Sequence, residues 1–173
     1  MDSAVILERI QGRFAGRVLA TGDFRGQHSV TIAPDTLVEL LTFLREDSEL
    51  DFDMLMDIGG VDYQGYDDRS HRFEVAYQLY SVGWNHRFRV KVAVENDTVS
   101  VPSLWKMWGL ANWMEREVFD LFGIQFENHP NLRRILCHED FEGHALRKDY
   151  PINRRQQLSR PVEMLLTDDP DWA

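Results

Sequence analysis

Residues 73–94 read FEVAYQLYSVGWNHRFRVKVAV, and this stretch decides the fold. Phe73, Val75, Tyr77 and Leu79 alternate with Arg72, Glu74, Ala76 and Gln78, while Phe88, Val90, Val92 and Val94 alternate with Arg87, Arg89 and Lys91. A period of two sends successive side chains to opposite faces, so each run is a strand with one covered face and one polar face. Val82 to His86 form the hairpin loop between them. Just upstream, 52–61 (FDMLMDIGGV) reads as a third strand. Its Gly59-Gly60 pair marks a bulge or a close approach to the backbone. Further back, Val5, Ile6, Ile10 and Phe14 are spaced for a helix over Ser3–Phe14, capped by Asp2 or Ser3. Val18–Thr21 and Ser29–Ile32 are short β-rich runs around a Gly22–Gly26 turn. Pro34-Asp35-Thr36 opens a second helix with Leu37, Leu40, Leu41 and Leu44 on one face. The order α-β-β-α-β-β-β predicts an α+β, two-layer domain, its helices packed on a mixed, mostly antiparallel sheet.

Downstream of the strands, helical spacing returns over 102–122, through Leu104, Met107, Trp108, Ala111, Met114, Val118, Leu121 and Phe122. Gly109 and Asn112 divide this region into a short helix and a longer one. Asn112 with Glu115 resembles a capping box, and Gly123 suits a C-terminal cap. Periodicity then fades, and prolines stand at 130, 151, 161 and 170. The expected organisation is a domain over 1–123 followed by an extended, partner-binding tail over 124–173. A tail of that length is either mobile or ordered by another protein.

The chain has 173 residues and a net charge of −10, which argues against a non-specific nucleic-acid binder. The charge is uneven. Residues 129–160 carry seven basic side chains (Arg133, Arg134, Arg147, Lys148, Arg154, Arg155, Arg160) against four acidic ones, between two acidic segments. A basic belt of this kind suits an acidic protein partner. The single cysteine, Cys137, allows no internal disulfide and cannot supply the thiolates of an iron–sulfur cluster. It points to an intracellular protein. No run approaches the roughly 20 apolar residues of a membrane helix, and the N-terminus does not read as a signal peptide.

Candidate chemistry is thin. Glu115, Glu117 and Asp120 form a carboxylate cluster, with Glu117 and Asp120 on one helical face. The polar face of an amphipathic helix explains them more simply than acid–base catalysis. His129, Cys137, His138 and His144 lie close in sequence but match no structural zinc spacing. Adjacent Cys137 and His138 point apart, which disfavours a nucleophile–base pair. Phosphate-binding glycine motifs are absent. No catalytic, cofactor-binding or metal-ligating residue is therefore expected.

The most specific signal is long and ordered. E-R-E-x-x-D-L-F-G-I spans Glu115 to Ile124, H-P-x-L-R-R-I spans His129 to Ile135, and G-H-x-L-R-K-D-Y-P spans Gly143 to Pro151. The chain closely resembles the 30 kDa subunit family, the C subunit of the proton-pumping NADH–quinone oxidoreductase of respiratory complex I. It has Ala145 where that family usually has proline. The resemblance implies a member of the hydrophilic arm that packs against the D subunit, which helps form the quinone site, and against neighbouring subunits, and that supports assembly. It implies no redox cofactor in this chain, with FMN and iron–sulfur clusters in partner subunits. It implies a place on the cytoplasmic face of the bacterial inner membrane, attached only indirectly through the complex. Glu115, Arg116, Glu117, Asp120, His129, Arg133, Arg134, His144, Arg147, Lys148, Asp149 and Tyr150 are then the expected partner-interface residues, acting through charge-assisted contacts. The equivalent subunit of a related membrane-bound hydrogenase or ferredoxin-linked oxidoreductase is the alternative.

Overall fold

Helix α1, Ser3–Phe14, begins where the Asp2 carboxylate accepts the Ala4 N–H at 3.1 Å, and it buries Ile6, Ile10 and Phe14. These contacts come from a computed structural model that describes residues 2–66, 68, 70–96, 98–154 and 156. A single 3₁₀ turn leads into β1, Val18–Phe24, which forms a hairpin with β2, Gln27–Ile32. Pro34–Thr36 then starts α2, Leu37–Glu46, with Leu37, Leu40, Leu41 and Leu44 fully buried as their spacing requires. The three longer strands are β3, Met54–Asp62, β4, Phe73–Ser81, and β5, His86–Val94.

The five strands make one sheet in the order β1-β2-β5-β4-β3. All pairings are antiparallel except β2 with β5, which is parallel. The expected α+β class and mixed sheet are therefore present. The alternation read from 73–94 sets the register: Val75 stands opposite Val92, Tyr77 opposite Val90 and Leu79 opposite Phe88, all inward. The bulge in β3 lies between Leu55 and Asp57 rather than at the glycines. The glycine pair serves the other purpose. A Cβ on Gly60 would stand 2.5 Å from the Phe122 ring, so glycine lets the helix after the sheet approach closely.

That helix is α3, Ala111–Phe122, and here the structure differs from the sequence pattern. Residues 104–110 form hydrogen-bonded turns, and only Ala111 begins regular helix. Asn112 is not a cap. The cap position falls at Leu110 without a side-chain bond, and the Glu115 carboxylate turns inward to other donors. Burial of Ala111, Glu115, Val118 and Phe122 on one face decided this orientation over a solvent-exposed capping box. Gly123 does close the helix, at φ 81°, with its N–H bonded to the Phe119 carbonyl. Two short strands that periodicity does not show, β6 (Ser100–Pro102) and β7 (Gln125–Glu127), pair in parallel and carry Val101 and Phe126 into the core, where Ile124, just before β7, is buried as well. Three residues are too few to display a period.

Candidate functional site

The motif residues converge on α3 and the chain that follows it. Asp120 is the hub. Its side chain is fully buried, and Oδ2 accepts the backbone N–H groups of Ile135, Leu136 and Cys137 at 3.0, 2.8 and 2.8 Å. Its Oδ1 accepts from the Arg134 guanidinium at 2.7 Å. Burial alone would push this carboxyl up. The Cys137 N–H, Arg134 and the Leu136 and Ile135 N–H groups outweigh that and hold it at about 2. Arg134 also donates to the Gly143 carbonyl, and the His144 Nδ1–H donates to the Asp120 carbonyl. One turn earlier, the buried Arg116 donates to the carbonyls of Arg133 and Arg134 and lies under the Trp113 ring. A loop with no periodicity of its own is thus fixed by two side chains at i and i+4 of one helix.

Glu115 faces the core instead. It accepts from the Leu104 N–H at 2.7 Å and from the Ser103 hydroxyl, and it is fully buried. Burial raises it to about 7, opposed by those two donors. His129 lies 3.9 Å away, its Nε2–H donating to the Asn112 carbonyl and its Nδ1 accepting the Asn131 N–H. Tyr77 is buried nearby, its hydroxyl held well above the ordinary value by burial and by Glu115.

A second carboxylate hub lies outside the residues the sequence singles out. Asp62, at the end of β3, accepts from Arg72, from the Gln64 N–H and from the Lys148 N–H. Despite burial these hydrogen bonds lower its pKa. Arg72 also reaches Asp149 at 2.7 Å, so the last motif is tied to the sheet. Its signal in the sequence is an acid standing where the alternation of β3 calls for an inward side chain. Arg147 lies over Phe73 and pairs with Asp149, and Tyr150 stacks on Phe141.

The structure therefore gathers most of the expected interface residues into contacts within the chain. Glu115, Arg116, Asp120, Arg134, His129 and His144 hold α3 and the following loop together. Glu117, Arg133, Lys148 and Asp149 remain exposed. As far as Asp149 the segment after α3 is tied to the domain: Asp120 accepts the N–H groups of Ile135, Leu136 and Cys137, Asp62 accepts that of Lys148, and Arg72 pairs with Asp149. Arg155 and Arg160 of the basic belt, and all of 157–173, lie outside the described residues. Among the described residues no three His, Cys, Asp or Glu side chains gather to hold a metal. Cys137 is raised by burial and by the Asp120 charge, the opposite of an activated thiolate.

The described residues form an α+β scaffold in which buried carboxylates and arginines tie the segment after α3 to the domain. Residues 30–156 match the family described as respiratory-chain NADH dehydrogenase, 30 Kd subunit. The NADH-quinone oxidoreductase C subunit of Roseiflexus sp. (strain RS-1) is 46% identical over 156 residues, spanning 90% of this chain and 88% of that one. The protein of the same name from Trichlorobacter lovleyi is 45% identical over 151 residues, 87% of this chain and 91% of the relative. Among solved structures, a trypsin-resistant fragment (1–134) of Nqo5 superposes with a TM-score of 0.66 at 35% identity, covering 76% of this chain and 100% of the fragment. One chain of an archaeal membrane-bound sulfane sulfur reductase, a respiratory membrane complex, shares the fold at TM-score 0.68 and 21% identity over 87% of this chain and 86% of that one. The chain belongs to the respiratory-chain NADH dehydrogenase 30 Kd subunit family. No helix among the described residues is long and apolar enough to cross a membrane.

Proposed function

We propose that the chain is a peripheral-arm subunit of the proton-translocating NADH-quinone oxidoreductase, docking on the D subunit beside the quinone site at the cytoplasmic face of the bacterial plasma membrane. In this reading it holds no redox centre. It supports assembly of the module that carries electrons from NADH through FMN and iron–sulfur clusters in partner subunits to quinone. The carrying observation is 46% identity across 90% of the chain to a C subunit of that enzyme. Charged motif residues then divide by role. The buried ones shape the loop after α3, and the exposed Glu117, Arg133, Lys148 and Asp149 meet partners. The equivalent subunit of a related membrane-bound hydrogenase or ferredoxin-linked oxidoreductase is the second reading; the fold shared with a chain of the archaeal sulfane sulfur reductase shows only that this fold also occurs in a different respiratory membrane complex.

Affinity purification of the tagged full chain from native cells in mild detergent, followed by mass spectrometry, tests the proposal. The D subunit, the other hydrophilic-arm subunits and NADH-dependent quinone reduction are expected to come with it. Purification alone, or with hydrogenase subunits, would overturn it. Arg133→Ala is expected to lower the yield of the intact complex while the chain's own melting temperature stays unchanged.

A further inference from the structure

Helix α3 has three sides, and two are accounted for. Ala111, Glu115, Val118 and Phe122 face the core, and Arg116 and Asp120 are covered by the loop 133–137. The third carries Leu110, Trp113, Glu117 and Leu121 at spacings of three and four. Trp113 is 56% exposed and Leu110 is 43% exposed. Beside Glu117 and Leu121 lies a hollow of about 160 Å³, walled by Ile58, Gly59 and Gly60 of the edge strand β3 and by Leu146, itself 52% exposed. The space is close to that of an apolar cavity that takes one benzene ring, about 150 Å³.

An exposed tryptophan held by the Arg116 guanidinium beneath it, one helical turn before Glu117 at the wall of an apolar hollow, has the form of a binding hot spot. Glu117 sits within this apolar strip. Among the described residues it has no ion-pair partner. A carboxylate covered by a partner must be matched by a cation, or its desolvation opposes binding.

Resting on the reading above, that the chain works inside a multi-subunit complex, we infer that this groove between α3 and β3 receives a segment of another subunit. The segment places one branched or aromatic apolar side chain in the hollow and a lysine or arginine against Glu117. The chain's own residues 161–173 have four acidic side chains and no basic one, so Glu117 repels them. A two-fold pairing of this face would set Glu117 toward its own copy, which disfavours a homodimer.

The test places the photo-crosslinking residue p-benzoylphenylalanine at position 113 of the full chain in native cells. Illumination of the purified complex is expected to give one crosslinked partner subunit, through a peptide containing lysine or arginine. Glu117→Lys is expected to cut the crosslink yield about tenfold, in the range of losing one hot-spot contact. Reversal of the partner's cation to glutamate is expected to restore it. Because Glu117 is exposed, the melting temperature of the full chain is expected to be unchanged, which separates docking from folding. Crosslinks to residues 157–173, to a second copy or to no protein would overturn the inference, as would an undiminished yield in Glu117→Lys. Wild-type chain that brings down NADH-quinone oxidoreductase subunits while these crosslinks fail refutes the groove alone. Wild-type chain that brings down a different assembly refutes the functional reading, and the groove is still judged by the crosslink.

Discussion

Asp120→Asn is the most informative single change, because one buried carboxylate ties the loop 134–137 and Arg134 to α3. Asparagine keeps the shape but replaces one acceptor oxygen by an NH₂ group. That group must face either three backbone N–H donors or the Arg134 guanidinium. Leaving buried donors unmatched beside a charge costs about 2–4 kcal/mol. The pH dependence gives a second, separate figure. Asp120 lies at about 2 in the folded chain against an ordinary 3.8, and that difference corresponds to about 2.5 kcal/mol of stability. Since the folded value is depressed, this stability is fully present above about pH 5 and is lost as pH falls toward 2. The side chain is wholly buried, so solvent screens little of it. Urea unfolding of the full chain at pH 7, 5 and 3 reads the effect, and amide hydrogen exchange at Ile135, Leu136 and Cys137 reports the loop directly. The variant is expected to have a lower midpoint at pH 7, a shallower loss between pH 5 and 3, and unprotected amides at the three positions. A wild-type midpoint and slope together with retained protection would refute the reasoning.

The remaining predictions concern the same region. Glu115 is raised to about 7 in the fold against an ordinary 4.5, so its contribution is present below about pH 4.5 and lost as pH rises through 7. Glu115→Gln, which can accept from Leu104 and donate to Ser103, is therefore expected to flatten the stability profile between pH 5 and 8. At pH 8 it is expected to add about 1–3 kcal/mol, read by urea midpoints. Gly60→Ala drives a methyl group to 2.5 Å from the Phe122 ring and is expected to cost about 1–3 kcal/mol by overpacking. Gly59→Ala, with nothing within 4 Å of its Cβ, is expected to leave the melting temperature near wild type; equal losses for the two would refute the close-packing account. Gly123→Ala must adopt φ 81° and meet the His144 ring at 2.6 Å. It is expected to destabilise the chain and to weaken the His144–Asp120 contact, visible as a shifted His144 imidazole resonance.

Much of the framework is legible in the sequence. The period-two runs of 73–79 and 88–94 specify both strands and their inward faces, because a strand can bury only alternate residues. The leucine spacing of 37–44 and the Gly123 cap are equally direct. Misreadings arise where local rules meet tertiary demands. Asn112 with Glu115 satisfies a capping-box pattern, but the core takes Glu115 and supplies its donors from Ser103 and Leu104. The glycine pair permits either a bulge or a close approach, and only the position of Phe122 distinguishes them. The site behaves in the same way. The motifs around Asp120 and Asp149 contain charges that the structure ties together, and their spacing cannot say whether each charge faces a partner or its own chain.

The sequence by itself determined the order of the elements from α1 to β5, the α+β class and, through three ordered motifs, the family, since periodicity and motif spacing are properties of the chain alone. Tertiary structure decided the parallel pairing of β2 with β5 and the destinations of the charges. It committed Asp120 and Asp62 to the backbone of the following segment, and it left Trp113 exposed and Glu117 at the wall of an open hollow. The reason is physical. A buried carboxylate must collect its donors from whatever the fold brings within about 3 Å; those of Asp120 lie 14 to 17 residues away, and the Lys148 N–H that reaches Asp62 lies 86 away, beyond the reach of any local pattern.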